Sequence, residues 1–152
     1  MSKIAVILGS KSDLKFWEDS KKYLDFFNVS ADLKILSAHR NPEKVAEFAN
    51  AARQEGYEIL IAAAGMAAHL AGALSAHSDL PVLGVPLPGG VLDGMDALLS
   101  TVQMPAGVPV ATFAVGKAGM RNAFVFAIQI LSLHDPALRK KLEIFKEQGS
   151  KI

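Results

Sequence analysis

Ser37-Ala38-His39-Arg40-Asn41-Pro42 places a hydroxyl, an imidazole and a guanidinium within four residues. An unperturbed imidazole titrates near ~6.5, so His39 can give and take a proton at neutral pH. Arg40 offers a permanent cation suited to a phosphate or carboxylate. A second stretch, Gly9-Ser10-Lys11-Ser12-Asp13, combines a flexible glycine with hydroxyls and a carboxylate. At the start of a helix, its N–H groups and side chains could hold a phosphate or sugar. Its spacing is neither that of a Walker loop nor that of a dinucleotide fingerprint. A third stretch, Ala64-Gly65-Met66-Ala67-Ala68-His69, is small-walled and can approach a very small ligand closely. Close helix–sheet packing is the competing reading of that loop, and the sequence leaves both open. His69 has two readings as well, a helix-terminus hydrogen-bonder or a group facing a ligand. His77 and His134 lie in turn-like contexts and read as structural. Two His without a carboxylate at fixed spacing do not point to a metal.

These stretches need elements to position them. The apolar run at 3–8 reads as a central parallel strand covered on both faces. Ser12 or Asp13 is placed to cap the next helix, in which Trp17, Ser20, Leu24 and Phe27 recur at helical spacing until Asn28. A second strand is expected at 31–36, followed by the His39 turn. Asn41 as N-cap, Pro42 at the first helical position and Glu43 near the positive dipole end predict a helix start. That helix carries Val45, Phe48, Ala49 and Ala52 and stops at Gly56. Strands are expected at 58–63, 81–85 and 108–114. A small-residue helix runs to about His77, a Gly/Pro-rich loop covers 86–96, and Gly116-Lys117-Ala118-Gly119 opens a long apolar helix through 122–133. A charged amphipathic helix follows Pro136. Strands alternating with helices predict one three-layer, doubly wound α/β domain over 1–152, with an extra C-terminal helix. In such a sheet all strand C-termini share one edge, so Ser10, Ser12, Asp13, Ser37, His39, Arg40 and His69 should converge.

Composition narrows the function. Lys+Arg is 16 and Asp+Glu is 15, which offers no basic surface for nucleic acid or membrane. Cys is absent, which removes disulfides, thiolate chemistry and Cys-based metal sites. No stretch reads as a signal core or a membrane span, and a cytoplasmic protein is expected. The AVILMFWYC set reaches 51%, and the chain is rich in Ala and Gly besides. A small monomer has little interior for that excess, so buried subunit interfaces are expected.

Six segments occur together and in order: G-S-K-S-D at 9–13, S-A-H-R-x-P at 37–42, A-G-x-A-A-H-L-x-G at 64–72, P-V-L-G-V-P at 81–86, S-T-V-Q-M-P at 100–105 and G-K-A-G-x-x-N-A at 116–123. Together they closely resemble the N5-carboxyaminoimidazole ribonucleotide mutases, over nearly the whole chain. The resemblance implies a flavodoxin-like domain assembled as a homo-octamer, with no metal, ATP or organic cofactor. It implies purine biosynthesis by moving a carboxylate from an exocyclic nitrogen to ring carbon C4 of an aminoimidazole ribonucleotide. Carried over by position, the catalytic histidine is His39 and the second active-site histidine is His69. Ser10, Asp13 and Arg40 match substrate-binding positions, and Ser12, Ser37, Gly65 and Leu70 match positions lining the site. Met66 stands where the family usually has a second Gly, and Ala71 where Pro is common. Residues 87–91 also differ from the commonest form. The related carboxylase, which uses free carbon dioxide, more often carries Lys after the histidine. A non-catalytic nucleotide- or flavin-binding module on the same fold is the alternative from another class.

Overall fold

A computed structural model describes residues 3–152. The first apolar run forms β1 (Ile4–Leu8), fully buried along its length. Its side chains alternate between two cores, as the two-residue period of a strand requires. Ile4, Val6 and Leu8 enter one core, Ala5 and Ile7 the other. The third strand, β3 (Ile59–Gly65), divides in the same way, with Ile61 facing one core and Leu60 the other. Each fully buried Ile or Leu contributes about 1.5–3 kcal/mol relative to exposure, so these two strands anchor the sheet.

The remaining strands are β2 (Ala31–Ile35), β4 (Val82–Leu87) and β5 (Ala111–Thr112). The five strands run parallel in the order β2-β1-β3-β4-β5. This is the doubly wound, flavodoxin-like arrangement expected from the alternation of strand and helix signals, and its direction of winding reverses between β1 and β3. One face carries α1 (Leu14–Phe27), α5 (Lys117–Ser132) and α6 (Pro136–Glu147). There Trp17 meets Phe124 edge-on at 5.8 Å, and Phe27 meets Phe145 at 5.3 Å. The other face carries α2 (Pro42–Ala51) and α3 (Leu70–His77). At its margin α4 (Met95–Val102) sends Thr101 over the bare backbone of Gly84. Asp19 accepts from Arg121, which ties α1 to α5 and holds the Asp19 carboxyl below its ordinary range.

Several expected boundaries move. The strand expected at 58–63 runs on to Gly65, because Ala64 and Gly65 pair with Pro86 and Leu87. Pro86 therefore belongs to β4 rather than to the following loop. The β5 ladder reaches only Leu83 and Gly84, so no strand N–H is required of Pro86 on that side. The strand expected at 108–114 shrinks to Ala111–Thr112. It is an edge strand, and Pro109 cannot donate to a ladder. Asn41 is the N-cap residue of α2 but makes no side-chain capping bond, and neither does Asp13 at α1. The capping bond in that region comes from Ser10, which opens a short 3-10 turn at Lys11–Asp13.

Candidate active site

The winding reversal leaves a crevice beyond the C-terminal ends of β1 and β3, where open α/β sheets take ligands. Three loops border it. After β1, Ser10 Oγ accepts from Ser12 N at 3.3 Å and from Ser12 Oγ at 2.9 Å. The Asp13 N–H closes this loop onto the Ser10 carbonyl at 3.2 Å. Gly9 lets the chain pass close to β3, since a Cβ there would already touch Ala64 Cβ at 3.4 Å.

After β2, Ser37 shapes the turn. Its carbonyl accepts from Asn41 N at 2.8 Å, and its hydroxyl oxygen accepts from Arg40 N at 3.2 Å. His39 and Arg40 are thereby held at the crest, both exposed. Among the described residues Arg40 forms no ion pair, so its charge remains available to an anion.

After β3, the chain makes two tight reversals, with Ala68 N donating to Met66 O at 2.9 Å and His69 N to Ala67 O at 2.8 Å. His69 is the N-cap residue of α3 without a side-chain capping bond, so the helix-terminus reading of its ring does not hold. Its Nδ1 instead lies 2.6 Å from His39 Nε2, with the rings edge-to-face at 4.8 Å. A contact that short requires one N–H donor and one lone pair, so each ring fixes the tautomer available to the other.

The expected residues thus share one sheet edge. Leu70 is buried in the core beneath α3, which leaves its backbone rather than its side chain to meet a ligand. Ala71 is also buried, and its Cβ faces Gly84 rather than the crevice. Met66 points outward, 62% exposed, against the loop that leaves β4. That loop leaves β4 at the same sheet edge, as expected of a loop that follows a parallel strand, although it begins after Leu87 rather than at Pro86. Among the described residues, no group of three His, Asp or Glu side chains is placed to hold a metal ion. A hollow of about 360 Å³ lies at the opposite end of the sheet beside Lys3, Asn28 and His134, and a groove of about 560 Å³ runs between β2 and α2.

Burial pushes the Asp13 carboxyl above its ordinary range, against weaker opposing contributions from Ser10, Lys15 and Ser12. The folded state therefore holds this proton to higher pH than the unfolded chain does. The resulting advantage is full below the ordinary value of ~3.9 and is lost as pH rises through the raised value. Replacing Asp13 by Asn removes that loss. The melting temperature of Asp13→Asn should gain on wild type as pH rises from about 3.5 to 7. A difference that stays constant across the same melts would contradict the burial cost assigned to Asp13.

Residues 3–151 match the family model described as AIR carboxylase. The chain is 47% identical over 146 residues to N5-carboxyaminoimidazole ribonucleotide mutase of Vibrio parahaemolyticus, spanning 96% of this chain and 91% of that protein. The mutase of the same name from Pyrococcus abyssi is 46% identical over 147 residues, spanning 97% of this chain and 83% of its own length. That of Haemophilus influenzae is 47% identical over 151 residues, spanning 99% and 92%. The crystal structure of Treponema denticola PurE shares the fold with a TM-score of 0.83 at 24% identity, covering 97% of this chain and 90% of that one. With a family match over nearly its whole length and relatives this similar, the chain belongs to the AIR carboxylase family.

Proposed function

We propose that this chain is a single catalytic domain that converts N5-carboxyaminoimidazole ribonucleotide to 4-carboxy-5-aminoimidazole ribonucleotide in purine biosynthesis. The observation that carries the reading is the 2.6 Å contact between His39 and His69 at the winding reversal, between loops able to hold an anionic nucleotide. The reaction moves one carboxyl group and needs two proton transfers. His39 delivers a proton to the exocyclic nitrogen as its bond to the carboxyl carbon breaks. The bonding pair stays on nitrogen, and neutral carbon dioxide is released. C4 then supplies the pair for the new carbon–carbon bond, and the C4 proton passes back to His39. One imidazole serves as acid and then as base, which its two-state chemistry near neutral pH permits. His69, hydrogen-bonded to the His39 ring, orients it for both transfers. Ser10, Ser12, Asp13, Ser37 and Arg40 anchor the ribonucleotide. Gly65 allows the close approach that a small gas molecule needs for recapture before it diffuses away. Direct binding of the carboxylated nucleotide without its interconversion would show a binding module instead.

Arg40→Ala should weaken substrate binding by about 1.5–3 kcal/mol, the range for a hydrogen bond to a charged group. Titration calorimetry with the product nucleotide reads this directly. Unchanged affinity would leave Arg40 with no role beyond shaping its turn.

The protein works in the cytoplasm as a homo-octamer on this reading. The support is surface that the single chain leaves uncovered. Val91 is 98% exposed, and Leu92, Met95, Leu99 and Val102 continue the apolar strip from the site loop along α4. Phe126 and Leu133 are also exposed, whereas half of α5 and the apolar side of α3 already pack within the chain. On this reading the exposed strip at 91–102 is part of the interface. Light scattering at micromolar concentration should give an assembly of several chains, and a stable monomer would rule this out. Among the described residues no helix is long and apolar enough to cross a membrane.

A further inference from the structure

Met66 occupies the left-handed region at φ 52. That conformation crowds Cβ of any residue but glycine against the following carbonyl. Its side chain remains 62% exposed, so burial does little to offset the cost. What it does touch is Gly90. A Cβ built on Gly90 would lie 3.0 Å from Met66 Cγ and 3.6 Å from Sδ. The backbones of the same two loops meet one step deeper, where a Cβ on Gly65 would touch the Leu87 carbonyl at 3.4 Å. Gly89 and Gly90 adopt φ 125 and φ 73, and the hydrogen bond that holds this segment from its own loop is the one from Gly89 N–H to Asp93 Oδ1 at 3.2 Å. Only glycine offers the bare surface on which an unbranched, polarizable thioether can lie this closely. Met66 also stands three residues before His69, in the loop that supplies one member of the histidine pair.

We propose that Met66 is a positioning residue that pins the Gly89–Gly90 segment beside the histidines and so closes the wall around released carbon dioxide. This rests on the mutase reading above. Carbon dioxide is neutral once the carbon–nitrogen pair has stayed on nitrogen, so no cation in the site can retain it. The shape and closure of the wall decide whether C4 captures the gas or solvent does. A loosened wall would leave decarboxylated aminoimidazole ribonucleotide behind and admit carbon dioxide from solution.

The test follows the carboxyl carbon. N5-carboxyaminoimidazole ribonucleotide labelled with carbon-13 in the carboxyl group is converted in unlabelled bicarbonate, and label in the product is read by mass spectrometry. Wild type and Met66→Leu, which still reaches Gly90, should keep most of the label. Met66→Gly and Met66→Ala should lose at least about threefold more of it as the gas diffuses away. Their apparent KM should stay within about twofold, because the anchoring groups at 9–13 and 40 are untouched. Met66→Gly should melt no lower than wild type, since glycine relieves the positive φ. Function and stability would then move in opposite directions, which a merely structural role does not produce. Conversion with equal label retention in all four proteins overturns this inference alone, as does loss of label in Met66→Leu equal to that in Met66→Gly. Wild-type protein that converts nothing overturns the mutase reading and this inference with it.

Discussion

His39→Asn is expected to keep the fold and substrate affinity and to lose turnover by about 10³–10⁴-fold or more. His39 is exposed at the crest of a turn held by Ser37, so the substitution disturbs no core contact. An amide is similar in size and polarity to an imidazole, but it does not take up or release protons near neutral pH. General acid–base help is worth about 10²–10⁴-fold for one transfer, and here one ring serves two. His69→Asn should cost less, because His69 acts by orienting the His39 ring across their 2.6 Å contact. The pH profile offers a second reading. A shuttling imidazole that must enter in one protonation state gives the wild-type rate a limb that the residual activity of His39→Asn should lack. Near wild-type turnover in His39→Asn would hand the proton-carrying role to His69.

Gly119→Ala is the substitution expected to damage the fold most. Gly119 lies in the first turns of α5, fully packed against the end of the sheet. A Cβ there would fall on the Ala114 carbonyl and would lie 3.2 Å from Val85 Cγ1. A carbonyl of the main chain cannot rotate aside as a side chain can, so α5 would have to shift, and α5 carries Met120, Phe124 and Ile128 into the core. Overpacking commonly costs about 1–3 kcal/mol and occasionally more, and this site belongs at or above the upper end. For a chain of this length each kcal/mol lowers the melting temperature by about 2–4 °C, so a loss near 10 °C is expected. A variant that melts with wild type would mean that α5 can slide without cost.

What the sequence made legible was what depends on local pattern. The apolar run at β1 and the Trp17, Ser20, Leu24 and Phe27 spacing in α1 each report burial through their own period, and all are buried. The convergence of the β1, β2 and β3 loops followed from a parallel sheet having one C-terminal edge. What was not legible depended on partners far along the chain. The His39–His69 contact joins residues 30 positions apart and turns on two ring orientations that no spacing encodes. β3 runs on to Gly65 because Pro86 and Leu87 accompany it. Asn41 and Asp13 have the residue types of caps, yet the capping bond falls to Ser10, because the turn after β1 begins earlier than the helix. Met66 was recognisable as an unusual residue for its loop, but that it points outward beside Gly90, a residue 24 positions along the chain, was not encoded in any local pattern.

On the proposed mechanism the carboxyl group is transferred within one bound nucleotide while a histidine carries the proton. The most direct measurement is turnover of N5-carboxyaminoimidazole ribonucleotide to the C4-carboxylated product, in bicarbonate-depleted buffer and again with bicarbonate added. The same forward rate is expected in both, because the carbon dioxide that C4 captures is the molecule just released beside it. A forward rate that requires added bicarbonate would contradict it and make the protein a carboxylase of free carbon dioxide.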